Sequence, residues 1–325
     1  MGIPALVLEP RAVPRVWGGS RLALESPPSL CSARAHHEPI GELWLAYDEN
    51  RVLSAPLAGR RLQEVLPELG PEFLGSVPYG RYGLELPLLI KFLDTAEWLS
   101  VQVHPDDPYA HTVEAATGFH GKTEAWYVLE GHGEVVYGLE RPMTRERLRQ
   151  GLLDGSAWKD LHRVRVGPQD VVFVPAGTIH ALGPGLLLYE VQQRSDLTYR
   201  LYDYGRGREL HLERGLDVAK LEPTPIPKLR PHPEGQKEIL LASSAFVLER
   251  HRLKGRATLQ APKESFLLLT PVHAQARWEG RTLGLGETLL IGAGQEVSLE
   301  GEAELLGAFI PSRQRLNDLP ASVRV

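Results

Sequence analysis

Cysteine is nearly missing from this chain of 325 residues: Cys31 stands alone, so no intrachain disulfide can form and the fold must rest on its core. That usage fits a reducing cytoplasm, and Cys31 reads as an inert thiol. Asparagine is confined to Asn50 and Asn317, and arginine outnumbers lysine, a bias shared by thermophilic and GC-rich sources. No stretch approaches the roughly 18 consecutive apolar residues of a membrane-crossing helix. The opening M-G-I-P-A-L-V-L-E-P-R lacks the basic start and sustained apolar run of a secretion signal. A net charge of −5 with interspersed signs leaves no basic footprint for nucleic acid. Nucleic acid and membrane are thereby excluded as expected partners, a small molecule remains, and the choice between monomer and homodimer stays open.

The length allows one or two domains. The clearest boundary is E-P-T-P-I-P-K-L-R-P-H-P-E-G, residues 222–235, where closely spaced prolines remove backbone donors and bar a helix. This divides the chain into a domain over 1–221, a linker over 222–235 and a second domain over 236–325. Strand-like runs dominate both parts. Helical spacing over 60–66 and 144–153, with Thr144 as N-cap, adds helical insertions to the first. A further helix is expected in the insertion 106–117, opened by Pro105-Asp106-Asp107. In the second part, apolar runs at 265–272, 288–291 and 303–310 alternate with glycine turns, as in a small all-β unit. G-L-G-E-T-L-L-I-G-A-G (284–294) reads as a worn copy of G-P-Q-D-V-V-F-V-P-A-G (167–177).

Four residues form the grouping with the most chemistry. Gln102 and His104 lie in S-V-Q-V-H-P (100–105), two apart, so on a strand they face the same way. Glu124 lies in the strand-like K-T-E-A-W-Y (122–127). His180 ends V-P-A-G-T-I-H (174–180), where Pro175 and Gly177 set a turn. Two imidazoles, one carboxylate and one amide oxygen suit a borderline divalent ion such as zinc, with coordination left for water or substrate. The worn copy lacks the counterpart of His180, because Gln295, Glu296 and Val297 follow its last glycine. The second unit is therefore expected to carry no metal.

Glu124 with Gly131, and Pro175, Gly177 and His180 in P-x-G-x-x-H, resemble the two halves of the cupin signature. The departures are Q-x-H in place of H-x-H and a long stretch between His104 and Glu124. With P-L-L-I-K-F-L-D (87–94), L-S-V-Q-V-H-P-D-D (99–107), G-K-T-E-A-W-Y (121–127), V-P-A-G-T-I-H-A-L (174–182) and Y-E-V-Q-Q-R-S-D-L-T-Y-R-L-Y-D-Y (189–204), the chain resembles the short bacterial branch of type I mannose-6-phosphate isomerases. V-W-G-G (16–19) agrees more weakly. The resemblance implies a mainly β fold: a jelly-roll-like cupin barrel that holds the metal, with helical insertions, and a second, smaller, degenerate cupin-like domain. It implies one Zn²⁺ per chain, a sugar-phosphate substrate, and interconversion of mannose 6-phosphate and fructose 6-phosphate through an enediol-type intermediate.

Within that resemblance Arg200 matches the active-site arginine, and Asp196, four residues earlier, is expected to hold it or assist ring opening. Strand alternation aims Lys122 at the same face as Glu124. Glu190, among apolar residues, is expected either to have a raised pKa and shuttle a proton or to pair with an arginine. Lys91, in L-L-I-K-F-L, needs a partner or the cavity, with Asp94 and Glu85 as candidates. Ser100 offers a hydroxyl to the phosphate. Longer relatives place a histidine where Gly121 stands, which leaves ring opening unassigned and His120 as a substitute. Two other readings stay open: a non-catalytic sugar-phosphate-binding cupin, and a different metal-dependent cupin enzyme.

Overall fold

The computed structural model describes residue 3, residues 5–22 and residues 39–325; Cys31 lies outside them. In chain order the first strands are β1 (Ala5–Leu8), β2 (Arg11–Pro14), β3 (Ile40–Ala46), β4 (Leu88–Asp94), β5 (Val101–Val103) and β6 (Glu124–Glu130). There follow β7 (Gly133–Leu139), β8 (Leu161–Val166), β9 (Val171–Val174), β10 (His180–Leu182), β11 (Leu187–Gln193) and β12 (Tyr199–Tyr202). Two antiparallel sheets face each other, one in the order β2-β3-β4-β11-β6-β9 and one in the order β12-β5-β10-β7-β8. This is the expected cupin-type barrel.

Period-two alternation decides what the barrel encloses. On β4, Leu88, Ile90 and Phe92 point outward into one apolar cluster, leaving Lys91 and Leu93 facing in. On β6, Ala125, Tyr127 and Leu129 point outward, while Glu124, Trp126 and Val128 face in. On β11, Tyr189 and Val191 face out and Leu188 and Glu190 face in. A buried charged residue at an inward position is thus a property of three adjacent strands.

The expected helices form at Leu62–Leu69 and Arg145–Asp154, the second with the Thr144 hydroxyl accepting from Arg147 N at 3.2 Å. The insertion after His104 is the helix Asp107–Thr112, capped by Asp106 through a 3.0 Å bond from Tyr109 N.

The remaining strands are β13 (His232–Glu234), β14 (Lys237–Ala242), β15 (Val247–Gln260), β16 (Leu267–His273), β17 (Ala276–Trp278), β18 (Arg281–Leu283), β19 (Thr288–Ile291) and β20 (Glu296–Phe309). They make a second β unit around its own apolar cluster, including Leu267, Leu269, Leu299 and Leu305. Two assignments need correcting. The strand β1 does not stay with the 1–221 unit: Ala5 to Leu8 pair with Ile291 to Thr288 of β19, because all four residues are apolar and buried there. The end of the expected linker, His232–Glu234, turns at Gly235 and pairs with β14. A single cluster that includes Leu45, Ile90, Tyr189, Leu248, Phe266 and Leu306 joins the outer face of the six-stranded sheet to the C-terminal sheet.

The worn repeat is visible in the backbone. Gln169 and Gly286 both have positive φ (72° and 81°), as do Gly177 and Gly294 (82° and 70°). Gly167 N donates to the Asp170 carboxylate at 2.8 Å, and Gly284 N to the Glu287 carboxylate at 3.2 Å. No helix of the described residues is long and apolar enough to cross a membrane.

Candidate metal centre and its cavity

Strand register brings the four expected ligands together. His180 on β10 stands opposite Gln102 on β5, and Gln192 on β11 opposite Glu124 on β6. Val101 and Val103 face the other way, into the cluster beneath the helices, so Gln102 and His104 share the inner side. The turn before His180 is tied down by Gly177 N donating to the His104 carbonyl at 2.9 Å. Gly177 has φ +82°, and a Cβ there would come within 2.9 Å of the Val218 carbonyl. Glycine is therefore required to bring His180 back to the face of His104.

His104, Glu124 and His180 are all buried, and one donor atom from each lies within 4.8 Å of the others. His180 Nδ1 donates to the Thr178 carbonyl at 2.8 Å, and His104 Nδ1 to the Leu197 carbonyl at 2.9 Å. Both protons are thereby placed on Nδ1, and both Nε2 lone pairs are aimed at Glu124, whose oxygens lie 3.2 Å from His180 and 3.6 Å from His104. The Gln102 amide is 3.3 Å from His180 Nε2. This donor set fits a borderline divalent ion. Burial alone would raise the Glu124 pKa, but Lys122 and the two imidazoles hold it well below the carboxylate range. Burial, with Lys122 beside it, keeps His104 well below its ordinary value and hence neutral.

Lys122 faces Glu124 as alternation requires, its Nζ 2.7 Å from Glu124 and 3.0 Å from His104 Nε2. Glu190 stands in register with Lys91 on one side and Trp126 on the other. One of its oxygens accepts from Trp126 Nε1 at 3.0 Å, and the other is ion-paired with Lys91 at 3.1 Å. Burial raises its pKa despite Lys91. The partner is thus a lysine, not an arginine. For Lys91 the expected partners were wrong: Asp94 is taken by Arg21 at 2.7 Å and Glu85 by His120 and Arg194. Glu42 is the second carboxylate near Lys91, at 3.9 Å; burial opposes its charge, but Lys91 and Arg15 bring its pKa down to about 2.

Glu42, Lys91, Gln102, Lys122, Glu124 and Glu190 line a cavity of about 520 Å³ that also takes in Ser100, Asp196, Arg200 and Arg208; His104 and His180 are not in its lining. Arg200 is half-buried. Its Nη1 donates to the Glu209 carbonyl at 2.8 Å, while its buried Nε has no hydrogen-bond partner among the described residues. Partial burial and the nearby Arg208 and Arg206 lower its pKa. Asp196 is exposed at the cavity wall and is not what holds Arg200, because the Glu209 carbonyl does so. His120 is not in the lining; it pairs with Glu85 and His111. A wider groove of about 800 Å³, lined by Trp98, His132 and Arg165, contains none of the ligand residues.

Sequence reasoning missed Arg15 and Glu42, joined at 2.9 Å, and Arg208 and His211. Glu42 carries the signal that marked Glu190 and Lys91: a charge inside the apolar strand I-G-E-L-W-L-A.

A family model for the catalytic domain of type I phosphomannose isomerase matches residues 6–139. The mannose-6-phosphate isomerase ManA of Bacillus subtilis is 35% identical over 327 residues, covering 93% of this chain and 97% of the relative. A mannose-6-phosphate isomerase of Streptococcus mutans is 33% identical over 282 residues, 84% of this chain and 86% of its own. The crystal structure of the Bacillus subtilis mannose 6-phosphate isomerase superposes with a TM-score of 0.80 at 29% identity, over 94% of this chain and 99% of that one.

Proposed function

The chain belongs to the type I phosphomannose isomerase family of enzymes, and from that premise we propose that its cavity binds one Zn²⁺ and interconverts mannose 6-phosphate and fructose 6-phosphate through an enediol-type intermediate. The observation that carries this reading is the pair of Nε2 lone pairs, fixed by backbone carbonyls and aimed at Glu124 in the wall of a cavity rich in arginine and lysine. His104, His180, Glu124 and Gln102 would hold the ion. When bound, it supplies Lewis-acid polarisation of the sugar oxygens at C1 and C2.

The chain's own residues do the rest. Of the titratable groups that line the cavity, Lys122 and Glu190 carry the proton between C1 and C2. Glu190 is suited to this because burial raises its pKa while Trp126 and Lys91 fix its position. Arg200, with its unpartnered Nε, stabilises the negative charge that develops on oxygen; a guanidinium stays charged throughout. Ser100 donates to the phosphate, Lys91 positions Glu190, and Asp196 accepts from sugar hydroxyls at the cavity wall. The cytoplasm is the compartment where such a substrate would be met.

A coupled assay of fructose 6-phosphate formation, run with and without a chelator, tests the reading. Turnover of mannose 6-phosphate that stops on chelation and returns with Zn²⁺ is expected. Undiminished turnover in a fully demetallated protein would remove the metal from the reaction, and absence of turnover in the loaded protein would leave a sugar-phosphate-binding protein.

A further inference from the structure

A second cluster of metal-type ligands lies outside the cavity. The helix Asp107–Thr112 places Asp107 and His111 four residues apart, hence on one face. The chain then returns so that His120 meets them: His111 Nε2 is 2.9 Å from His120 Nδ1, and the donor atoms of Asp107, His111 and His120 lie within 4.8 Å of one another. None of the three lines the cavity.

Two of the three ligands, His120 and Asp107, are also held from behind. His120 Nε2 bonds the Glu85 carboxylate, the arrangement of carboxylate, imidazole and metal that orients a ligating ring and leaves its Nδ1 lone pair free. Asp107 Oδ1 accepts from Gly121 N at 2.8 Å and from Gln193 Nε2 at 3.0 Å, which fixes the carboxylate. The Tyr82 ring packs edge-on against His120 with centroids 4.7 Å apart. His111 is exposed, so the cluster opens to solvent.

We propose that Asp107, His111 and His120 form a second divalent-cation site, separate from the barrel centre, that takes a borderline ion such as Zn²⁺, Co²⁺ or Ni²⁺. Two imidazoles and a carboxylate suit that class and leave a position for water. Without the ion, the short contact between the imidazoles is a hydrogen bond from His111 Nε2–H to His120 Nδ1. Binding requires His111 to carry its proton on Nδ1 instead, an exchange of tautomer with no net proton release. The ion would staple the helix Asp107–Thr112 to the segment that runs directly into Lys122 and Glu124.

The test is a difference in metal count. Wild type and His111→Ala are brought to equilibrium dialysis against the same free Zn²⁺, and bound metal is measured by plasma mass spectrometry. Other surface histidines and the barrel centre contribute equally to both proteins and cancel. Wild type should bind one equivalent more than His111→Ala. Asp107→Asn, which keeps an oxygen acceptor for Gly121, should lose the same equivalent. Glu85→Gln should keep it with affinity weakened by about 10- to 100-fold. Equal metal content in wild type and both ligand variants overturns the site, whatever the barrel centre holds.

Discussion

The two β units differ in what their inward-facing positions carry. In the first, β4, β6 and β11 and the segments around β5 and β10 turn Lys91, Glu124, Glu190, His104 and His180 inward, and the Nε2 atoms of both imidazoles converge on Glu124. In the second, the apolar cluster surrounds an ionic group in which Glu249 and His251 are buried and Lys237 is partly buried. There Glu249 spends one oxygen on His251 at 2.7 Å and the other on Lys237 at 2.7 Å. Gly307 on β20 stands opposite Glu249, and a Cβ there would approach the Glu249 Cγ to 2.9 Å, so the missing side chain makes its room. One architecture therefore serves two ends. Where the buried polar groups satisfy one another away from any cavity, the barrel is support; where imidazoles and a carboxylate converge on one point beside a cavity, it can hold a ligand.

The comparison breaks most sharply at His104. His104→Ala should remove the metal and lower turnover by about 10³-fold or more, the several kcal/mol that Lewis-acid stabilisation supplies. Folding should survive, since the residue belongs to none of the apolar clusters. Metal analysis alongside the coupled assay checks this. Full metal content with normal turnover would mean that His104 is not a ligand and that the convergence of imidazoles on Glu124 does not make the metal centre.

How much of this was legible beforehand follows from the range of each signal. Gln102 and His104 could be placed on one face because period two is local, and the turn at His180 because Pro175 and Gly177 restrict the backbone. The worn repeat was readable for the same reason, since positive φ at Gly294 matches Gly177. Partners set by strand pairing were not readable. Lys91 meets Glu190 and Glu42 because β4 lies between β3 and β11, an order that no local pattern specifies. The crossing of β1 to β19 is of that kind too: four apolar residues announce burial, not the sheet in which they are buried.

Arg200 sharpens the comparison at the level of the reaction. If it meets charge that exists only along the reaction path, its removal falls on kcat; if it grips the phosphate already present, it falls on KM. Arg200→Ala is expected to keep metal and fold while losing about 10²- to 10³-fold in kcat. Arg200→Lys should recover part, since a point charge cannot replace the planar fork. A normal kcat with a raised KM would make Arg200 a phosphate clamp.

The smallest effect belongs to the second barrel, where the buried charge should matter to stability alone. Burial by itself would raise the Glu249 pKa, but the hydrogen bond from His251 and the charge of Lys237 bring it to about 2, below its ordinary value of 4.5. A carboxylate whose pKa is depressed on folding stabilises the folded state fully above about pH 4.5 and loses that contribution as the pH falls toward 2. The shift corresponds to about 3 kcal/mol at neutral pH and to about 1 kcal/mol at pH 3. Glu42 titrates in the same range, so the informative quantity is the difference between wild type and Glu249→Gln, in which Glu42 cancels. Denaturant unfolding at pH 7 and pH 3 should show the gap between the two proteins narrowing by about 2 kcal/mol, with metal content and kcat unchanged by the substitution. A gap that stays constant across this window would mean that Glu249 is no more favoured as an anion in the fold than in the unfolded chain. A fall in kcat would mean that the second barrel is not merely a support, and the division between the two interiors would have to be redrawn.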